Sequence, residues 1–128
     1  MSLRSPLARV LGRGAAGEGV AHWWAQRVSA MLLVPLSVWF VVSLLRLPLA
    51  DFAAVSIWIA GGWNPVWLAL LLLALFWHSR LGVQVVIEDY VHGAALKFAA
   101  LLCNSGAHLL LLAGGLYALA RLALRSAT

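Results

Sequence analysis

Three long apolar runs divide the chain. The first is uncharged from Val28 to Leu45. The second runs from Pro65 to Ile87 and carries His78 and Arg80 inside it. The third runs from Phe98 to Ala120. The 23 residues from Pro65 to Ile87 make about 34 Å of helix, enough to cross a hydrocarbon core of about 30 Å. The pattern predicts an all-α fold with three transmembrane helices, at about 26–46, 65–88 and 98–120. They form one transmembrane domain, 22–125, behind a basic arm, 1–21. Pro35 lies inside the first run and is expected to bend it. Between the first two spans, Phe52 to Ala60 is apolar but too short to cross. That stretch is predicted to lie at the interface or on the mouth of the bundle. Gly61, Gly62, Asn64 and Pro65 form the turn that starts the next helix.

The polar residues inside these runs change the picture. His78 sits well inside the second span, where an ionisable, ligand-capable side chain is costly and is a functional candidate by default. His78 and Asp89 are eleven residues apart, which returns to nearly the same helix face about 16 Å further along. Tyr90 follows at the water boundary. An electron carrier with a reactant site at the membrane edge uses that layout, and so do an ion path and a plain packed bundle. Gly82, just after His78, allows a flat ligand or another helix to come close. Arg80 points elsewhere than His78, and Gln84, one turn on, is expected to hydrogen-bond it. In the third span Asn104, Ser105, Gly106 and His108 make a small polar patch, and Gly114 and Gly115 permit close helix contact.

A buried neutral imidazole has three common uses: a hydrogen bond between helices, a proton relay, or an axial ligand to haem iron. His78 is eleven residues from Asp89 and His108 eleven from Lys97, so the two histidines lie at similar depth. A bis-histidine site within the chain and a site shared with a partner chain both remain open. No c-type attachment sequence is present, so any haem would be non-covalent.

Composition narrows the class. Of the 128 residues, 64% are hydrophobic and only 10% charged, against roughly a quarter charged in soluble domains. The net charge of +5 reflects arginines at the ends of spans, where anionic lipid and the positive-inside bias explain them, and not nucleic-acid binding. Seven tryptophans suit interfacial belts, Trp23 and Trp24 among them. The single cysteine, Cys103, excludes an intrachain disulfide and reads as a small packing residue. With the N-terminus inside, the inner flanks hold Arg4, Arg9, Arg13, Arg27 and Lys97, and the outer flanks Arg46, Arg121 and Arg125, five against three. That count favours a cytoplasmic N-terminus and puts Asp89, Tyr90 and His92 on the cytoplasmic side. The arm is not followed closely enough by an apolar run to read as a cleaved signal peptide; it reads as a flexible arm, able to dock a soluble partner.

Within HSRLGVQVVIEDYVH, the string His78…Asp89–Tyr90 resembles the H-x₁₀-D-Y motif of the small membrane-anchor subunit of succinate dehydrogenase, the succinate:quinone oxidoreductase of respiratory complex II. The opening HWWAQRVSA and the three-span layout are similar too, and the likeness covers most of residues 20–125. It points to the D-type anchor. The resemblance implies one half of a haem-binding helical bundle, with His78 as axial ligand to a haem b shared with a second, C-type anchor. It implies Arg27 near the haem propionates, and Tyr90 and Asp89 at a ubiquinone site. It also implies an iron–sulfur subunit and a flavoprotein as partners at the bacterial inner membrane. No residue for succinate chemistry is expected in this chain. His92, near the water boundary, is either a proton donor or a solvated loop residue. The other readings are the anchor of a fumarate reductase and a small structural or assembly protein of the membrane.

Overall fold

A computed structural model describes residues 16–125 as four helices without a strand. They are α1, Ala16–Arg46; α2, Phe52–Ala60; α3, Asn64–Tyr90; and α4, Ala94–Arg125. Most of the predicted arm lies outside the described residues, and residues 16–21 begin α1. The three long helices are each long and apolar enough to cross a membrane. They extend past the predicted spans at several ends, because helical hydrogen bonding satisfies the backbone in water as well as in lipid.

Local chemistry sets the breaks. Asp51 caps α2: its Oδ1 accepts from the backbone N–H groups of Ala53 at 2.9 Å and Ala54 at 3.3 Å, which would otherwise lack partners. Gly62 takes φ +53°, among the described residues the one backbone in the left-handed region, where a residue without Cβ is favoured. Pro65 then opens α3 within its first turn, where its missing N–H costs nothing. The α3–α4 link is only residues 91–93. The Lys97 ammonium donates across it to the Glu88 carbonyl at 2.8 Å, tying the start of α4 to the end of α3. Pro35 leaves α1 unbroken, although the Met31 carbonyl loses its helical donor there.

The helices form a layer. Helices α1 and α4 both pack on α3 and make no backbone contact with each other, while α2 lies across α3 and α4. Among the described residues only Leu36, Ala74, Leu81, Ser29 and Asn104 are buried, and leucines, valines and aromatic residues are exposed along every span. In water such a surface would be unfavourable, but hydrocarbon tails solvate it. Trp58 of α2 stacks on Trp39 of α1, ring centroids 5.8 Å apart, and Trp39 lies 6.3 Å from Trp67 of α3, an aromatic cluster at one end of the layer. Gly115 meets Leu72, to which an added Cβ would come within 3.4 Å, and Gly114 opens outward. Cys103 is exposed rather than packed within the chain.

With so little buried apolar surface, polar contacts between spans carry weight. Asn104 of α4 donates through Nδ2 to the Arg80 carbonyl of α3 at 3.1 Å. Asn104→Leu is expected to weaken the α3–α4 contact by about 0.6–1.7 kcal/mol, the range of interhelical hydrogen bonds in membranes. Unfolding of the purified chain in mixed detergent micelles would measure this, and an unchanged midpoint would assign the contact to packing alone.

Candidate cofactor site

Two polar clusters flank α3 at the same depth. The first joins α1 to α3. Gln26 and Ser29 are three apart on α1, so they share a face, and both reach His78. Ser29, only 5% exposed, donates its hydroxyl to the Gln26 carbonyl at 2.9 Å. Its oxygen also lies 3.0 Å from His78 Nδ1; with the single hydroxyl proton on the Gln26 carbonyl, the Ser29 oxygen is the acceptor there and Nδ1 the donor. In that tautomer His78 Nε2 holds the lone pair. The Gln26 amide nitrogen stands 3.4 Å from it, a long and weak contact. The Gln26 Oε1 is buried without a partner. Gly82, one turn beyond His78, faces this amide: an added Cβ there would lie 3.8 Å from Gln26 Nε2, an ordinary contact.

Beside this cluster runs an apolar groove of about 620 Å³ between α1 and α3, walled by Ser29, Pro35, Trp39, Trp67, Ala74 and Trp77 among others. Ser29 thus both lines the groove and contacts His78.

The second cluster joins α3 to α4. His108 Nδ1 lies 2.8 Å from the Asn104 carbonyl. A carbonyl only accepts, so Nδ1 donates and Nε2 accepts from the Ser79 hydroxyl at 3.1 Å. Arg80 lies with its guanidinium 5.1 Å from the Trp77 ring centre. Arg80, Ser105 and His108 line a small cavity of about 120 Å³. Gln84 does not reach Arg80: its amide donates to Glu88 Oε1 at 2.8 Å, one turn further on, where a charged acceptor is the stronger partner.

The predicted site residues thus fall into three places. His78 and His108 can each serve as a haem ligand through Nε2, but His78 engages α1 while His108 engages α3 from the α4 side. They do not converge, and the described residues hold no group of three or more His, Cys, Asp or Glu able to bind a metal ion. Arg27 is exposed and lies over the Trp23 ring at 5.3 Å. Asp89 and Tyr90 are exposed at the end of α3, with Tyr90 79% exposed. His92 Nδ1 lies 3.1 Å from the Tyr90 carbonyl. Gln26, Ser29 and Ser79 are the contacts that reading the sequence missed. The one available signal was the polar pair Gln26 and Ser29, three apart around Arg27 at the start of the first span.

Over residues 1–119 the chain matches the family described as succinate dehydrogenase/fumarate reductase transmembrane subunit. The chain belongs to this family. It is 30% identical to the succinate dehydrogenase hydrophobic membrane anchor subunit of Rickettsia conorii, over 69% of this chain and 71% of that one. It is 28% identical to the subunit of the same description from Paracoccus denitrificans, over 94% and 92%. It is 29% identical to the succinate dehydrogenase membrane anchor subunit of Reclinomonas americana, over 66% and 72%. No solved structure matches.

The family match corrects the D-type expectation. The match runs through all three spans and is to the transmembrane subunit of the cytochrome-b kind, common to succinate dehydrogenase and fumarate reductase, with no D-type distinction. The physical reason is plain: any chain that lends one imidazole to a shared membrane site needs a mid-span histidine and a similar layout. A short string around His78 therefore does not separate anchor types. The subunit's role is that of a membrane anchor in succinate:quinone oxidoreductase, as a non-catalytic member of the complex.

Proposed function

We propose that this subunit binds haem b through His78 and contributes Tyr90 and Asp89 to a ubiquinone site. In this reading it anchors an iron–sulfur subunit and a flavoprotein together with a second membrane chain. The observation that carries the reading is His78, a mid-membrane imidazole with Nδ1 held by Ser29 and a loosely contacted Nε2. The donor set fits a haem: a neutral imidazole nitrogen beside an apolar, tryptophan-walled groove. A haem held there supplies a one-electron store.

The chain's own residues do the rest. His78 would hold the haem iron through a ring nitrogen, and a second membrane chain would complete the site. Arg27, exposed near the start of the first span, offers an anion contact to propionates once the partner is in place. Tyr90 offers a neutral O–H donor to a quinone carbonyl, which gains electron density on reduction. Asp89 and His92, at the water boundary, supply protons. The positive-inside count puts this end at the cytoplasmic face of a bacterial inner membrane, on the side of the soluble subunits.

Mild detergent extraction of a tagged chain tests the assembly. The expected product contains the second membrane chain, the iron–sulfur subunit and the flavoprotein, and it passes electrons from succinate to quinone. Recovery of the chain alone as a stable monomer would overturn the proposal in favour of a structural or assembly protein.

A further inference from the structure

The contacts around His78 close into a circuit, and with the Ser29 proton on the Gln26 carbonyl its bonds run in one direction. The Gln26 amide donates to His78 Nε2 at 3.4 Å. His78 Nδ1–H donates to Ser29 Oγ at 3.0 Å. The Ser29 hydroxyl donates back to the Gln26 carbonyl at 2.9 Å. Two of these contacts are good hydrogen bonds and one is long. The long one is the contact that a metal ion on Nε2 would replace.

We infer that Ser29 is the positioning residue of the haem site, holding His78 in the Nδ1–H tautomer so that Nε2 is presented as ligand, with the Gln26 amide occupying that lone pair before haem arrives. The inference rests on the proposal that His78 is a haem ligand and adds to it the residue on which His78 depends. Ser29 is suited to the role because it is buried and its own hydrogen is committed within α1, so toward α3 it is an acceptor only. An acceptor on Nδ1–H fixes the ring's orientation and makes the ligating nitrogen more basic. A more basic ligand favours ferric over ferrous iron, so the serine also helps to set the potential. Gln26 approaches from the same helix, its amide nitrogen facing Gly82 of α3. The tautomer and the readiness of the site are therefore both written into one turn of α1, residues 26–29.

The test uses the assembled complex in native membranes, with haem content per complex, the low-spin ferric electron paramagnetic resonance signal and the haem midpoint potential as readouts. Ser29→Ala is expected to keep a low-spin haem but bind it about tenfold more weakly, the lower end of the usual effect of losing such a support. Its midpoint should rise, by about 59 mV if the ferric preference falls tenfold. Ser29→Thr keeps the hydroxyl and should restore both. Ser29→Cys keeps the volume but accepts poorly, so it should follow Ser29→Ala in potential; wild-type behaviour from Ser29→Cys would show that packing alone matters and would overturn the inference. An unchanged potential, signal and haem content in Ser29→Ala would overturn it as well, while leaving His78 as ligand. His78→Ala separates the two ideas: an unchanged low-spin haem in that variant would sink the ligand assignment and the role of Ser29 together.

Discussion

Replacing His78 with alanine in the assembled complex should abolish the low-spin haem b spectrum, or the haem itself. The expected loss is larger than for any change to a supporting residue. A supporting contact typically accounts for about tenfold to a hundredfold in metal affinity, whereas removing an axial nitrogen deletes the coordinate bond. No neighbour can substitute. Gln26 and Ser29 offer an amide and a hydroxyl. His108 lies on the other side of α3, and Ser79 occupies its Nε2. His108→Ala is the matched control. It removes an imidazole at the same depth and costs the Ser79 hydrogen bond, and it should leave the haem spectrum as it is. Reduced-minus-oxidised difference spectra of membranes, normalised to complex content, measure both variants. A wild-type low-spin spectrum in His78→Ala would take His78 out of the ligand set; loss of the spectrum in His108→Ala alone would move the site to α4.

How much of this was legible in the sequence follows from the range of each interaction. The three spans were legible because unbroken apolar runs are a local property, and lipid leaves a backbone of that length and composition little choice but a helix. The 52–60 stretch was legible only as an apolar segment too short to cross, ended by Gly61 and Gly62; its helix and the Asp51 cap came from the structure. The equal depth of His78 and His108 also followed from counting residues back from the short α3–α4 link. What counting could not supply was the side of α3 on which each histidine lies relative to its neighbours. That depends on how α1 and α4 are arranged around α3, which long-range packing decides. Gln84 illustrates the same limit at short range: spacing allowed Arg80 or Glu88, and rotamer and charge chose Glu88. The type of anchor was beyond reach for another reason, since different anchors of one complex share the physical demands that shaped the motif.

Tyr90→Phe should lower succinate:quinone turnover by about tenfold to a hundredfold, while succinate oxidation by a dye that draws electrons from the soluble subunits is nearly unaffected. The phenol stands 79% exposed at the end of α3, and among the described residues neither it nor Asp89 has a hydrogen-bond partner. A tyrosine that only anchors a span at the interface would behave in the same way within the isolated chain, so geometry at Tyr90 must be weighed with its position. It lies twelve residues beyond His78, about 18 Å along the axis, where α3 leaves the hydrocarbon and a long-tailed quinone would bring its head group to the boundary. The substitution keeps the ring and its packing and deletes one O–H donor. A hydrogen bond to a carbonyl that gains charge during reduction strengthens as the reaction proceeds, so its loss falls on the rate rather than on binding alone. A contribution on the order of 1–3 kcal/mol gives the stated range. Asp89→Asn should slow the same step without changing the haem spectrum, because the carboxylate lies about three helical turns, about 16 Å, from His78 and serves protons rather than iron. Wild-type quinone turnover and wild-type binding of a quinone-site inhibitor by Tyr90→Phe, in a complex with its haem intact, would make Tyr90 an interfacial anchor and move the quinone site to residues of the partner chains.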